Sequence, residues 1–255
     1  GGDDIAVANR GDGTILILGS TGLRSNPLGG GVPIYVGIAT TVDPIDINSD
    51  KDLDSLAVGG KGDGTVAVVK GGVGLRGYDT IEYYDVGNSP YEVAVGDLNG
   101  DGLSDIVTAD YDDGTISVLI QNVDGTYQGA AAIAVGLPID EPHPRSIALG
   151  DYDSDGDLDV AVVILEVGGT LVRTLRNDSI GGTLILTIDA DYGSGTDPSL
   201  VRSADVNGDT GTDMVVINGA FGAFRGTEDP EAAGYVRYFT APPIGATDFC
   251  ADAIT

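Results

Sequence analysis

The sequence has no tryptophan, one cysteine, one histidine and one methionine in 255 residues. The single Cys250 excludes an internal disulfide framework and any multi-cysteine zinc or iron–sulfur site. The single His143 excludes an intramolecular multi-histidine metal centre, and a Ser-His-Asp triad could run only through it. It lies in Glu141-Pro142-His143-Pro144, a Pro-rich connection, which predicts a loop residue with no catalytic role. Basic residues are scarce too: 12 Lys and Arg stand against 40 Asp and Glu, a formal charge of −28. Such a chain repels phosphate backbones and anionic lipid surfaces, so neither nucleic acid nor a membrane is expected as a partner. The longest fully aliphatic run, Val160 to Leu165, is strand-sized and far short of the roughly 18 residues of a spanning helix. Gly1-Gly2-Asp3-Asp4 is neither a signal peptide nor a start methionine, which predicts a native start upstream.

What the chain has instead is apolar content, glycine and order. It is 42% hydrophobic with 41 Gly and a mean hydropathy of +0.10, which argues for a packed core over disorder. The order is an internal repeat. Asp46-Ile-Asn48-Ser-Asp50-Lys-Asp52-Leu-Asp54 recurs as Asp97-Leu-Asn99-Gly-Asp101-Gly-Leu103-Ser-Asp105. It returns as Asp151-Tyr-Asp153-Ser-Asp155-Gly-Asp157-Leu-Asp159 and as Asp205-Val-Asn207-Gly-Asp209-Thr-Gly211-Thr-Asp213. The start-to-start spacings are 51, 54 and 54 residues.

Each loop runs into a short β-rich stretch: Ser55–Val58, Ile106–Thr108, Val160–Val163 and Met214–Ile217. A hairpin turn and second strand follow, as in Gly62-Asp63-Gly64-Thr65 and Asp112-Asp113-Gly114-Thr115. A less regular third strand, a Pro-containing connection and a strand entering the next loop complete the unit. The count is roughly four strands per 50 residues, with no convincing helical period. The whole chain, 1–255, therefore reads as one all-β repeat domain, with repeats of about 1–45, 46–96, 97–150, 151–204 and 205–255.

The ends extend the pattern. Asp4-Ile-Ala-Val-Ala8 with Gly11-Asp12-Gly13-Thr14 matches the second half of a repeat, and Ala251-Asp252-Ala253 resembles the opening of one. Asp4 and Asp252 would then belong to a split, degenerate fifth site, since Ile254 falls at its third position and cannot coordinate. The C-terminal strand is expected to complete the first sheet, within one chain or in a neighbour as a head-to-tail polymer. A fragment cut mid-repeat is the alternative.

Carboxylates and amides at alternate positions of a nine-residue loop converge as the chain reverses. Positions 1, 3, 5 and 9 supply side-chain oxygens, and position 7 (Asp52, Leu103, Asp157, Gly211) commonly a backbone carbonyl. Hard oxygen donors in that number favour Ca²⁺ over Zn²⁺ or Mg²⁺. About four Ca²⁺ sites are expected, one per complete loop. An EF-hand is excluded, because its bidentate Glu would be Ala57, Thr108, Val162 or Val216. Polar turns without metal are the alternative, more so for the loops at 46 and 205, where Lys51 and Thr210 replace the sixth-position glycine.

Val95-Gly-Asp-Leu-Asn-Gly-Asp-Gly-Leu-Ser-Asp-Ile-Val107, followed by Asp113-Gly-Thr-Ile-Ser-Val-Leu119 and Asp124-Gly-Thr-Tyr127, resembles the FG-GAP/VCBS repeat. The resemblance implies a β-propeller of about five four-stranded blades, or a fragment of a seven-bladed one, with Ca²⁺ in the loop joining two strands of a blade. It also implies an extracellular or cell-surface protein with a protein or glycan partner.

Arg10-Gly11-Asp12 sits where Lys61-Gly62-Asp63 sits one repeat later, so it reads as hairpin chemistry. Asn177-Asp178-Ser179 is a glycosylation sequon. Tyr83-Tyr84 and Tyr235 with Tyr238 read as strand packing ahead of sugar stacking. The loops absorb the regularly spaced carboxylates and leave no isolated acid/base pair. The expectation is a non-enzymatic, calcium-stabilised extracellular propeller in adhesion or in a surface assembly. A lectin-like module and an accessory domain of a larger secreted enzyme are the alternatives.

Overall fold

The computed structural model describes residues 5–18, 33–36, 41–45, 55–60, 64–71, 78–136, 141–167, 169–193, 198–208, 211–218, 236–240 and 250–253. Among these there are five antiparallel sheets and no helix. The first holds β1 (Ile5–Asn9), β2 (Thr14–Leu18) and β3 (Pro33–Tyr35). The second holds β4 (Thr41–Ile45), β5 (Ser55–Gly59), β6 (Thr65–Gly71) and β7 (Tyr78–Asp85), in that order. The third runs β8 (Pro90–Gly96), β9 (Asp105–Asp110), β10 (Thr115–Leu119) and β11 (Ala131–Ala134). The fourth runs β12 (His143–Gly150), β13 (Asp159–Glu166), β14 (Gly169–Asn177) and β15 (Leu186–Tyr192). The fifth runs β16 (Pro198–Ala204), β17 (Asp213–Asn218), β18 (Val236–Thr240) and β19 (Cys250–Ala253).

Each sheet is an antiparallel meander of sequence-consecutive strands, and the tight hairpins within it carry turn chemistry. The β9–β10 turn shows how. Gly114 sits at φ 67°, and a Cβ there would also meet Pro142 at 2.8 Å, so the position admits glycine alone without strain. The first hairpin uses Asp12, whose Oδ1 accepts from the Thr14 amide at 3.2 Å and hydroxyl at 2.7 Å. That carboxylate closes the β1–β2 turn, as the hairpin reading of Arg10-Gly11-Asp12 anticipates.

Burial falls from the inner to the outer strands. β9 is buried at every position and β13 at its first six residues, because both faces of these strands meet neighbouring sheets. The outer strands β11 and β15 are mostly exposed. Four apolar layers fill the gaps between successive sheets. Ile15, Leu56 and Val69 pack between the first two sheets, and Val66, Ile106 and Leu119 between the next two. Val107, Ile116, Val160 and Leu175 join the third and fourth, and Val163, Val201 and Met214 the fourth and fifth. The initial strands β1, β4, β8, β12 and β16 follow one another in space, each packed on the next. This is the architecture of a β-propeller with about five blades.

Each of the second to fifth sheets begins on the strand that enters a loop, several residues before the loop's first Asp, whereas β1 follows Asp4. The blades therefore start ahead of the repeat boundaries drawn from the motif. A second difference concerns the C-terminal strand, expected to complete the first sheet. Instead β19 pairs antiparallel with β18, with Tyr238 opposite Asp252, and forms the outer strand of the fifth sheet. The physical reason is distance along the chain: nine residues separate β19 from β18, so the edge of β18 is its sequence-local partner.

Candidate functional site: acidic loops and an axial cavity

The acidic loops connect the first and second strands of the second to fifth sheets. In the loop 97–105, Asp97 Oδ1 accepts from the amides of Gly100 (2.8 Å) and Asp101 (3.2 Å), and Oδ2 from Gly102 (2.8 Å). Asn99 Oδ1 accepts from the Asp101 amide and Asp101 Oδ1 from the Leu103 amide. The loop 151–159 repeats the pattern: Asp151 accepts from Asp155 and Gly156, Asp153 from Asp155, and Asp155 from Asp157. In the loop 205–213, Asp205 Oδ1 accepts from Gly208. Backbone at positions 4 and 6 turns left-handed, at Gly100, Gly102, Gly156 and Gly208 and at the non-glycine Ser154 (φ 64°). The fourth-position requirement is a signal that the sixth-position rule overlooks.

The ninth-position aspartates do a second job. Asp105 is fully buried; its Oδ2 accepts from the Leu98 amide at 3.0 Å and its Oδ1 from Gln121 at 2.9 Å. Asp159 does the same with Tyr152 (2.9 Å) and Asn177 (2.8 Å), and Asp213 Oδ2 accepts from Val206. Burial pushes the acids of Asp105 and Asp159 up to about 6, against the pull of those amides. The acidic neighbours Asp101 and Asp97, and Asp153 and Asp155, push the same way.

Carboxylate oxygens of Asp151, Asp153 and Asp159 lie within 4.8 Å of one another. Two ligands on a shared Ca²⁺ at about 2.3–2.6 Å span at most about 5 Å, so this all-oxygen set fits the ion. Asp97, Asn99, Asp101 and Asp105 form the equivalent loop, and Asp205, Asn207, Gly211 and Asp213 are its described counterparts in the fifth sheet. Asp46, Asn48, Asp50, Asp52, Asp54, Asp209 and Asp4 lie outside the described residues, as does the side chain of Asp252.

Asn177 is not a glycan acceptor in this fold, which corrects the sequon reading. It is fully buried, and its Nδ2 donates to the carbonyls of Leu98 (2.8 Å) and Leu158 (2.9 Å). Ser179, the sequon hydroxyl, donates to Asn177 Oδ1. His143, expected in a loop, begins β12, stacks on Tyr111 with ring centroids 4.6 Å apart and bonds the Tyr111 carbonyl through Nδ1. Tyr84 packs edge-on against Tyr127 and donates to Glu82 at 2.6 Å, while Tyr83 is exposed. Tyr235 lies outside the described residues.

A different set of charges meets at the axis. A cavity of about 260 Å³ opens between β4, β8, β12 and β16, lined in part by Asp43, Glu92, Arg202 and Ser203. Asp43 Oδ2 accepts from the Val95 amide at 2.9 Å. Burial is the main influence on Asp43 and raises its acid from the ordinary 3.8 to about 6; Glu92 adds to this, while Val95 and Arg202 oppose it. Glu92 is 7% exposed; its Oε2 accepts from the Ile147 amide (2.9 Å) and its Oε1 pairs with Arg202 Nη2 (2.7 Å). Arg202 Nη1 donates to its neighbour's carbonyl, that of Val201, at 2.7 Å. The guanidinium is thereby fixed in orientation while about half its side chain faces the opening. Two carboxylates and one arginine from three blades thus share one concave site, and neither carboxylate belongs to an acidic loop.

Comparison with known proteins bears on both features. Residues 97–162 match the FG-GAP-like repeat family. That span covers the loops 97–105 and 151–159, strands β9 to β12 and the start of β13. A search of curated proteins by sequence finds no match. Among solved structures, the chain is similar to a periplasmic gluconolactonase of Pseudomonas aeruginosa, with 14% identity, a TM-score of 0.66, and 98% of this chain covering 66% of that one. It is similar to a protein from Lactobacillus plantarum, at 14% identity and TM-score 0.63, covering 97% of this chain and 66% of that one. A candidate 6-phosphogluconolactonase of Bacteroides fragilis gives 15% identity and TM-score 0.58, covering 99% and 66%. The chain spans about two thirds of the length of these structures.

At such identities the likeness establishes the propeller fold. The neighbours named as gluconolactonases nevertheless stand against the expectation of a non-enzymatic propeller acting in adhesion or as a structural subunit. That expectation rested on assigning every carboxylate to a loop. Asp43 and Glu92 belong to none.

Proposed function

We propose that the chain is a hydrolase that opens a lactone ring in the axial cavity. The observation that carries this reading is the convergence of Asp43 and Glu92 with an oriented Arg202 in one concave site. Asp43, with its acid near 6, is largely ionised at neutral pH yet basic enough to take a proton from water. The water oxygen bonds to the lactone carbonyl carbon as Asp43 takes the proton. The developing oxyanion faces the free N–H edge of Arg202. The ring C–O bond then breaks, and the proton passes from Asp43 to the departing ring oxygen. The enzyme names carried by two structural neighbours support this class of reaction.

Calcium is the second part of the proposal. Bound in the acidic loops, the ion neutralises clustered carboxylates. Asp97, Asn99, Asp101 and Asp105, and Asp151, Asp153, Asp155 and Asp159, would hold it by their side chains, with the loops at 46 and 205 as further sites. Affinities of the extracellular class, roughly 10⁻⁴ to 10⁻³ M, go with an exported protein.

The test is ring opening of glucono-δ-lactone followed by pH-stat titration near pH 7. The wild-type chain accelerates it over the spontaneous rate, and Asp43→Asn lowers kcat by about 10² or more. No acceleration over buffer overturns the reading.

A further inference from the structure

The axial cavity carries a charge arrangement that decides which lactone it takes. Among its described lining residues Arg202 is the one cation, and Asp43 and Glu92 are the anions. Arg202 does not meet an incoming ligand as a bare charge, because its Nη2 is held by Glu92 at 2.7 Å. Glu92 is itself almost wholly buried and anchored on its other oxygen by the Ile147 amide. A phosphate or carboxylate group on the substrate would have to take the guanidinium away from Glu92. It would leave that buried carboxylate uncompensated and stand beside a second one, Asp43. The whole chain, at −28, adds repulsion of the same sign. Hydroxyl groups face no such competition, since carboxylates accept from them and the remaining guanidinium N–H groups donate to them.

We infer that the axial site takes uncharged polyhydroxy lactones and that Glu92 is the residue that excludes phosphorylated ones. The inference rests on the hydrolase reading above and deepens it. Glu92 acts through Arg202, so it is a specificity-determining residue rather than a catalytic one. Glu92→Gln isolates the effect: the amide oxygen still accepts from Ile147, while the charge that occupies Arg202 is gone.

The experiment compares kcat/KM for glucono-δ-lactone and 6-phosphoglucono-δ-lactone in the wild-type chain and in Glu92→Gln, with thermal melting as the check on folding. The wild-type chain favours the uncharged lactone by at least about tenfold, and Glu92→Gln moves the ratio at least about tenfold toward the phosphorylated one, chiefly through KM. A wild-type preference for the phosphorylated lactone, or a ratio unmoved in a folded Glu92→Gln, overturns the inference and leaves the hydrolase standing. Failure to open either lactone sinks both. The wild-type ratio decides the matter even where the variant does not fold.

Discussion

Asn177 Nδ2 donates to the Leu98 carbonyl oxygen at 2.8 Å, across 79 residues of chain, and so ties the acidic loop of the third sheet to the last residue of β14 in the fourth. The same nitrogen reaches Leu158 in its own blade's loop. One buried amide thereby holds two loops that the sequence presents as separate units. Its counterpart one repeat earlier, Gln121, accepts from the Ser104 amide at 2.8 Å in its own blade's loop.

Replacing Asn177 by Ala leaves two buried carbonyls without their donor. Loss of about 2–3 kcal/mol of stability is expected. Chemical denaturation reads this directly, and mass spectrometry of the protein expressed in a glycosylating host finds residue 177 unmodified. A fully glycosylated Asn177 in folded protein would refute the burial argument.

The clasp aspartates give a second test. In Asp105→Asn or Asp159→Asn one acceptor becomes a donor facing a buried amide N–H. Each substitution should cost about 2–4 kcal/mol. An equally conservative change at the half-buried Asp157 should cost a small fraction of that. Equal losses at the three positions would show that general loop charge, not the clasp, sets stability.

Stability should also depend on pH with an unusual sign. Burial raises the acids of Asp43, Asp105, Asp110 and Asp159 from 3.8 to about 6. Between those values the folded chain holds more protons than the unfolded one, so stability falls as pH rises through about 4 to 6. In the presence of a chelator, Tm at pH 5 therefore exceeds Tm at pH 7. A Tm that climbs steadily from pH 4 to 7 under chelation would contradict the assignment.

Calcium should reverse that loss. An ion that binds only the folded chain adds about 2.7 kcal/mol per site at a hundredfold excess over Kd, so Tm at pH 7 rises with calcium concentration. The double variant Asp151→Asn/Asp153→Asn removes part of the rise and leaves the part due to the loop 97–105. A melting curve indifferent to millimolar calcium would rule out occupied loops.

Activity should titrate with Asp43. The base works deprotonated, so ring opening is lost as pH falls through about 6, close to tenfold per unit below it. Glucono-δ-lactone opens by itself faster as pH rises, so the enzymatic rate is taken as the excess over buffer. An excess rate that is flat from pH 4.5 to 7 would exclude Asp43 as the base.

Much of this architecture was legible in the residues. Asp-x-Asn/Asp-x-Asp spacing marks the loops, Asp-Gly-Thr marks the hairpins, and Val160 to Ile164 marks a strand buried on both faces. These are local signals, because turn chemistry and period-2 patterning act over a few residues. In three of the four loops the strand that follows begins on the loop's final Asp, at Asp105, Asp159 and Asp213. The pairing of the C-terminal strand was not legible, for the opposite reason. Ala251-Asp252-Ala253 looks like a repeat opening, but strand pairing follows the nearest available edge, and β18 offers it.

Composition and repeat spacing alone determined an acidic, all-β, blade-by-blade chain with oxygen-rich loops, since each of those properties is written within one repeat. The tertiary structure alone decided that Asp43, Glu92 and Arg202 share a cavity and that Asn177 is sealed inside. Those three charged residues sit on β4, β8 and β16, and nothing local singles them out. They meet because successive sheets pack their initial strands together, and charges far apart along the chain acquire their chemistry from that convergence.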